Sequence, residues 1–281
     1  MFQMTPDDLA SDIGTGATSE LSLRVSVATQ VKVLFENPQD GRQMLALERK
    51  ATVFEDESGT TVEVIAQPFG GAIRIRDPRR LREGIGDFRF DSQESRSEQD
   101  FRIFIRPSDW ERARGFCIEQ LTVPEDAILE FDPSRELTEE FAEALKTKLS
   151  LDQYAYRSVG TIVEDWAAPT RNIHARGHPT VRVYRVFEAQ ILDPFLWHAM
   201  LANSGSYSSN DLYRLALQDA RNGGKGRANA VLTVPMERIR DVYRGMSPEA
   251  RNFPFLFEGS QLDESVGALF QSVDIPRYRR L

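Results

Sequence analysis

One cysteine, three histidines and five lysines in 281 residues leave several chemistries short of material. A lone Cys117 cannot build an intrachain disulfide framework, which fits a reducing cytoplasm. No apolar run approaches the ~20 residues that a bilayer-spanning helix needs, so no membrane role is expected. The first twenty residues are acidic and polar, without the basic and apolar parts of a secretory signal, and read as a frayed tail. Positive charge is scarce relative to negative. A net charge of −8 argues against general nucleic-acid binding, whose affinity comes mainly from phosphate neutralisation. Of the 35 cationic side chains 30 are arginine. That bias offers bidentate phosphate contacts, and genomic base composition explains it equally well. With 41% hydrophobic and 28% charged residues, the remainder is ordinary for a globular chain long enough to bury a sizeable core.

What is there begins with strands. Residues 21–34 alternate apolar and polar side chains, as a half-buried strand does. Asn37-Pro38-Gln39-Asp40-Gly41 signals a turn, and residues 44–47 start the return strand. Residues 61–66 read as a third strand leading into Gly70-Gly71. Residues 87–99 are polar and read as a mobile loop, 101–105 as a strand. Ser108-Asp109-Trp110-Glu111 reads as a capping box opening a helix with Trp110, Ala113, Cys117 and Leu121 on one face. Further on, strands are expected at 158–163, from 181 to about Asp193, and at 230–234. A loop spans 164–179, and 203–229 is irregular around a short helix at 212–221. A helix starts at Pro235 and is closed by Gly245, and a final helix spans about 261–271.

Residues 135 to 145 carry the most chemistry. Asp132-Pro133 supplies an N-cap and a proline at the first helical position. Leu137, Phe141, Ala144 and Leu145 make an apolar stripe at helical spacing. Glu136, Glu139, Glu140 and Glu143 fall at i, i+3, i+4 and i+7 and share another face. Carboxylates gathered so repel one another, and a divalent cation would turn the repulsion into ligation. Hard oxygen donors suit Mg²⁺ or Mn²⁺. The plain alternative is a solvated acidic face.

Arg135-Glu136-Leu137-Thr138-Glu139-Glu140 resembles the core of the Nudix box, the metal-binding helix of the Nudix hydrolases. Pro68-Phe69-Gly70-Gly71 resembles the glycine loop that precedes it in that family. Asp77 stands six residues past Gly71, where the family has Glu. Between Asp77 and Arg135 lies an insertion, residues 78–134, where the family has only seven residues. Ala142 replaces a glycine and Glu143 an apolar residue. Residues 30–50 resemble the family's first hairpin and 179–192 its later strand.

The resemblance implies an α/β fold: a Nudix-type α/β/α sandwich with a mixed sheet, spanning 21–281 and enlarged by the insertion. It implies that Glu136, Glu139 and Glu140 hold Mg²⁺ (or Mn²⁺), with Glu136, Glu140 and Arg135 as the catalytic set. Arg135 would orient a glutamate of the helix. Gly70 and Gly71 would bring backbone close to phosphate, although alone they read as an ordinary tight turn. The activity implied is metal-dependent hydrolysis of a nucleoside diphosphate linked to another moiety. The split box leaves a second reading, a catalytically weak or inactive Nudix-like domain that senses a nucleotide, regulates or binds a protein. The partner is a nucleotide-type small molecule, and the insertion offers a surface for a homodimer or protein partner. Glu164, Asp165, Glu188 and Asp193 are candidates for one further acid, and no motif chooses among them.

Other clusters read more plainly. His174 and His178 share a loop with Arg171 and Arg176, but Gly177 and Pro179 argue against the helix that zinc ligation at this spacing would use. Asn222-Gly223-Gly224-Lys225-Gly226-Arg227 has the composition of a phosphate cradle without its pattern, and reads as a flexible loop. Cys117, on an apolar helix face, reads as a buried structural thiol.

Overall fold

The structure is a computed structural model, describing residues 21–56, 59–122, 128–169, 175, 177–244, 256–257, 259–273 and 279–280. The tail 1–20, Arg171, His174, Arg176 and Gly245 lie outside the described residues. Ten principal strands run in chain order as β1 (Leu23–Glu36), β2 (Gln43–Asp56), β3 (Gly59–Gln67), β4 (Arg74–Ile75), β5 (Arg89–Phe90), β6 (Arg102–Ile105), β7 (Leu129–Glu130), β8 (Tyr154–Pro169), β9 (Pro179–Ile191) and β10 (Arg227–Pro235). The α-helices are α1 (Pro78–Ile85), α2 (Gln93–Glu98), α3 (Trp110–Thr122), α4 (Pro133–Leu145), α5 (Pro194–Ser206), α6 (Ser209–Arg221) and α7 (Met236–Arg244). The fold is mixed α/β. Pairing is largely antiparallel, with Ser260–Leu262 adding to β3 in parallel. No described helix is long and apolar enough to cross a membrane.

The chain forms two compact units, and β1, β8 and β9 each pass from one into the other. The first unit holds Met1–Ala28, Ala72–Phe131 and Val163–Val183, and thus most of the expected insertion together with Asp77. Here the start of β1 pairs with β6 (Val25↔Ile103), and β6 with β5. Val25, Val27, Ile73, Leu81, Phe101, Ile103, Ala113, Cys117 and Leu121 make its core. The apolar stripe expected from Trp110 to Leu121 is therefore the buried face of α3.

Three local expectations for this unit are corrected. The capping box at Ser108 is absent, because Pro107–Asp109 forms a 3₁₀ turn that runs straight into α3. Asp77 is the N-cap of α1, accepting from the amides of Arg79 and Arg80. Residues 87–99 are an ordered β5–α2 segment, not a mobile loop. Its polarity is spent internally: buried Asp91 accepts from Arg24 Nε at 2.9 Å and from the Ser95 hydroxyl at 2.7 Å.

The second unit holds Thr29–Gly71, Asp132–Ile162 and Tyr184–Leu281. β2 is its central strand, paired with β1 (Val33↔Ala46), β3 (Glu48↔Gln67) and β10 (Glu48↔Val231). Side chains alternate across the sheet. Ala51 and Ala230 meet Leu212 and Ala216 of α6 on one face. Glu48, Lys50 and Asn229 project from the opposite face, where Asn229 meets Glu143 of α4. Helices thus cover both faces of this sheet. α5 lies with α4: the Asn203 amide donates to the Ala144 carbonyl and its oxygen accepts from the Val231 amide. Of the stretch expected to be irregular from residue 203, the helix expected at 212–221 is α6, which starts earlier, at Ser209, and residues 203–206 are the end of α5. Residues 261–271 are not an α-helix but a short strand and a 3₁₀ helix, Glu264–Val273.

Candidate functional site

The glycine loop and the glutamate helix meet inside the second unit. Past the end of β3 the chain turns back along β1, with the Val31 amide donating to the Phe69 carbonyl at 2.7 Å and the Thr29 amide to the Gly71 carbonyl at 2.9 Å. Gly70 has φ of +140°, and a Cβ there would collide with the Thr29 carbonyl. Only glycine lets the chain run this close. The same turn aims the Gly70 N–H at α4, where it donates to Glu140 Oε2 at 2.6 Å. A Cβ on Gly71 would land on the Glu136 carboxylate.

α4 is placed by its sequence as expected. Asp132 caps it, accepting from the Ser134 amide at 2.7 Å, with Pro133 at its first turn. Leu137, Phe141 and Ala144 are buried, and Phe141 packs on Phe69 of the loop at 4.9 Å between ring centroids. That aromatic contact fixes the helix against the loop and so sets where the glutamates fall. Glu136 is buried and Glu140 half-buried with its carboxyl end enclosed, while Glu139 is exposed. Arg135 pairs with Glu136 and, at 3.3 Å, with Glu139. The structure thus brings Gly70, Gly71, Glu136 and Glu140 together, with Arg135 on their flank and Glu139 turned to solvent.

Reasoning from sequence missed Glu48. It lies in β2, fully buried, on the face toward α4. Its Oε2 accepts from Gln67 Nε2 at 2.7 Å and its Oε1 from Asn229 Nδ2 at 2.8 Å, and Lys50 lies 3.7 Å away. The same Asn229 amide donates to Glu143 Oε2 at 2.7 Å, one turn past Glu140. An acid between Leu47 and Arg49, just past the residues that start the return strand, was the available signal. Burial holds the Glu140 carboxyl well above the usual carboxylate range, and the charges of Glu48 and Glu136 push the same way. The Gly70 N–H and Lys50 oppose them.

Among the described residues no group of three or more His, Cys, Asp or Glu side chains is gathered as a ready metal cluster. The converging donors are the carboxylates of Glu136 and Glu140. All-oxygen donors of this kind fit Mg²⁺ or Mn²⁺, and Mg²⁺ is usually held by one or two carboxylates plus waters and substrate phosphates.

The four later acids have other engagements. Glu164 lies 3.5 Å from Arg182, and Asp165 pairs with Arg114 at 3.0 Å, both in the first unit. Glu188 accepts from Arg157 and Lys32. Asp193 caps α5, accepting from the Phe195 amide. His178 stacks edge-on against Phe104. The glycine-rich stretch after α6 is an ordered turn rather than a flexible loop: Asp219 accepts from the amides of Gly226 and Arg227. Cys117 is buried, which pushes its thiol up. Set against protein-family models, curated proteins and solved structures, the chain finds no match.

Proposed function

We propose that this chain is a Nudix-type phosphohydrolase that cleaves a nucleoside diphosphate linked to another moiety, on an α/β/α sandwich of the Nudix kind. The observation that carries the reading is the contact of Gly70-Gly71 with Glu136 and Glu140. These two halves of the box are separated by a long insertion in sequence, yet they are hydrogen-bonded in space. A long insertion is compatible with such a site, since loop closure costs only about 0.6 kcal/mol per doubling of length.

Glu136 and Glu140 would hold Mg²⁺ or Mn²⁺. When bound, the cation screens phosphate oxygens and lowers the pKa of water. The chain's own groups do the rest. Gly70 and Gly71 carry no side chain to keep a diphosphate from the backbone. Arg135 holds Glu136 in place and offsets part of its charge. Phe69 and Phe141 keep water from the inner side of the loop.

A second reading is a domain that binds a nucleotide without cleaving it. The solvent-facing Glu139, and Asp77 spent on capping α1, favour it. One screen separates the two: dinucleoside, nucleotide-sugar and nucleoside triphosphate substrates with Mg²⁺ and Mn²⁺, products resolved, in wild type and Glu140→Gln. The hydrolase reading expects turnover that falls on the order of 10³-fold in the variant. Equal turnover in both would assign the activity elsewhere. Nucleotide binding without turnover would establish the second reading.

A further inference from the structure

Resting on the cation site of that reading, we propose that Glu48 is a positioning residue of the site: an amide-clamped carboxylate whose fixed charge raises the site's affinity for a divalent cation. Three observations carry this. Glu48 is completely buried in the middle of β2, where a charge is costly to keep. Both its oxygens accept from neutral amides, Gln67 of β3 and Asn229 of β10, which hold the carboxylate still without cancelling it. A long ion pair, Lys50 Nζ to its Oε1 at 3.7 Å, offsets only part of that charge. Asn229 also grips Glu143 of α4, so a single amide locks strand to helix one turn from Glu140.

A carboxylate kept for stability alone would be expected to hold a cation at hydrogen-bond distance, and Lys50 stands beyond it. Glu48 instead sits toward the glutamate face of α4, where like charge opposes it. Such an arrangement stores repulsion in the cation-free chain and releases it when a cation arrives. Isosteric neutralisation should therefore move stability and affinity in opposite directions. In Glu48→Gln, the Gln67 amide can turn over to accept from the new side-chain N–H, so shape and hydrogen bonding are kept.

The test follows thermal unfolding in EDTA and Mn²⁺ affinity by titration calorimetry, in wild type, Glu48→Gln and Asn229→Ala. The expected result is a higher melting temperature for Glu48→Gln in EDTA, with Mn²⁺ affinity weaker by about 10- to 100-fold. Asn229→Ala, at a half-buried position, frees one oxygen of Glu48 and should weaken Mn²⁺ less, about tenfold. It keeps the idea testable if Glu48→Gln fails to fold. Unchanged Mn²⁺ affinity in the variants overturns the role of Glu48 while leaving the site itself intact. A lower melting temperature for Glu48→Gln in EDTA overturns it too, marking Glu48 as a structural acid. No Mn²⁺ binding by wild type would bring down the cation site, and this assignment with it.

Discussion

Gly70 and Gly71 are adjacent but face different obstacles, so the same substitution should act on stability at the first and on the site at the second. An alanine methyl at Gly70 meets the Thr29 carbonyl, part of a backbone ladder that cannot step aside, at φ of +140°. Strain of this kind costs about 1–3 kcal/mol, and overpacking about as much again. The lost freedom of the unfolded chain returns about 0.4–1 kcal/mol. Gly70→Ala should thus destabilise by roughly 1–5.6 kcal/mol, against a typical total of about 5–15 kcal/mol. At Gly71 the methyl meets only the Glu136 carboxylate, the far end of a flexible side chain. Glu136 can swing away, so stability should change by less than about 1 kcal/mol. The displaced carboxylate no longer sits where the loop needs it, and a shift of about 1 Å in a catalytic group can cost on the order of 10²-fold in rate. Urea unfolding followed by circular dichroism reads the first effect, and Mn²⁺-dependent turnover or Mn²⁺ affinity the second. A fully stable Gly70→Ala would refute the packing of the loop on β1. A Gly71→Ala variant with wild-type turnover and Mn²⁺ affinity would remove Glu136 from the site.

Three more outcomes are expected. Glu140 is held above its usual range in the fold, so it adds stability while protonated, below about the ordinary 4.5, and loses that contribution as pH rises through its raised value. Without divalent cation, stability should therefore decline from mildly acidic toward neutral pH, and Glu140→Gln should flatten the decline; identical slopes would show that Glu140 is not so held. Asp91→Ala should cost about 3–5 kcal/mol, because it leaves Arg24 as a buried cation without the oxygen that accepts from both its Nε and its Nη2, whereas replacing both by apolar residues should cost far less. Cys117 should resist thiol reagents in the native protein and react only on unfolding, and rapid native labelling would contradict its burial.

Patterns with short range were legible. The stripe from Trp110 to Leu121 and the Asp132-Pro133 start of the glutamate helix correspond to described elements, and the alternation before residue 34 marks β1, although that strand is buried along nearly its whole length rather than on one face. Each depends on neighbours within a turn or two, or on strict alternation. Elements without such a signature were missed. α5 reads Phe195-Leu196-Trp197 and then Met200-Leu201, apolar around much of its circumference, so no period marks it. α1 is short and half charged, with only Leu81 and Ile85 buried. The 3₁₀ helix at Glu264–Val273 has helical spacing in its sequence, but the tighter winding is a matter of packing.

The sequence by itself determined that a capped helix carries Glu136, Glu139, Glu140 and Glu143 on one face, and that two glycines close a strand. Capping, periodicity and glycine's freedom are local properties, so they survive without knowledge of the fold. Only the tertiary structure decided which carboxylates converge. The Phe69–Phe141 contact and the Gly70 hydrogen bond turn Glu136 and Glu140 inward and leave Glu139 in solvent. It also decided that Glu48, far from the helix in sequence, belongs on the same face, because strand pairing with β3 and β10 delivers Gln67 and Asn229 to its two oxygens. Charges interact through space rather than along the chain, so the balance of the site is set by packing that no stretch of sequence contains.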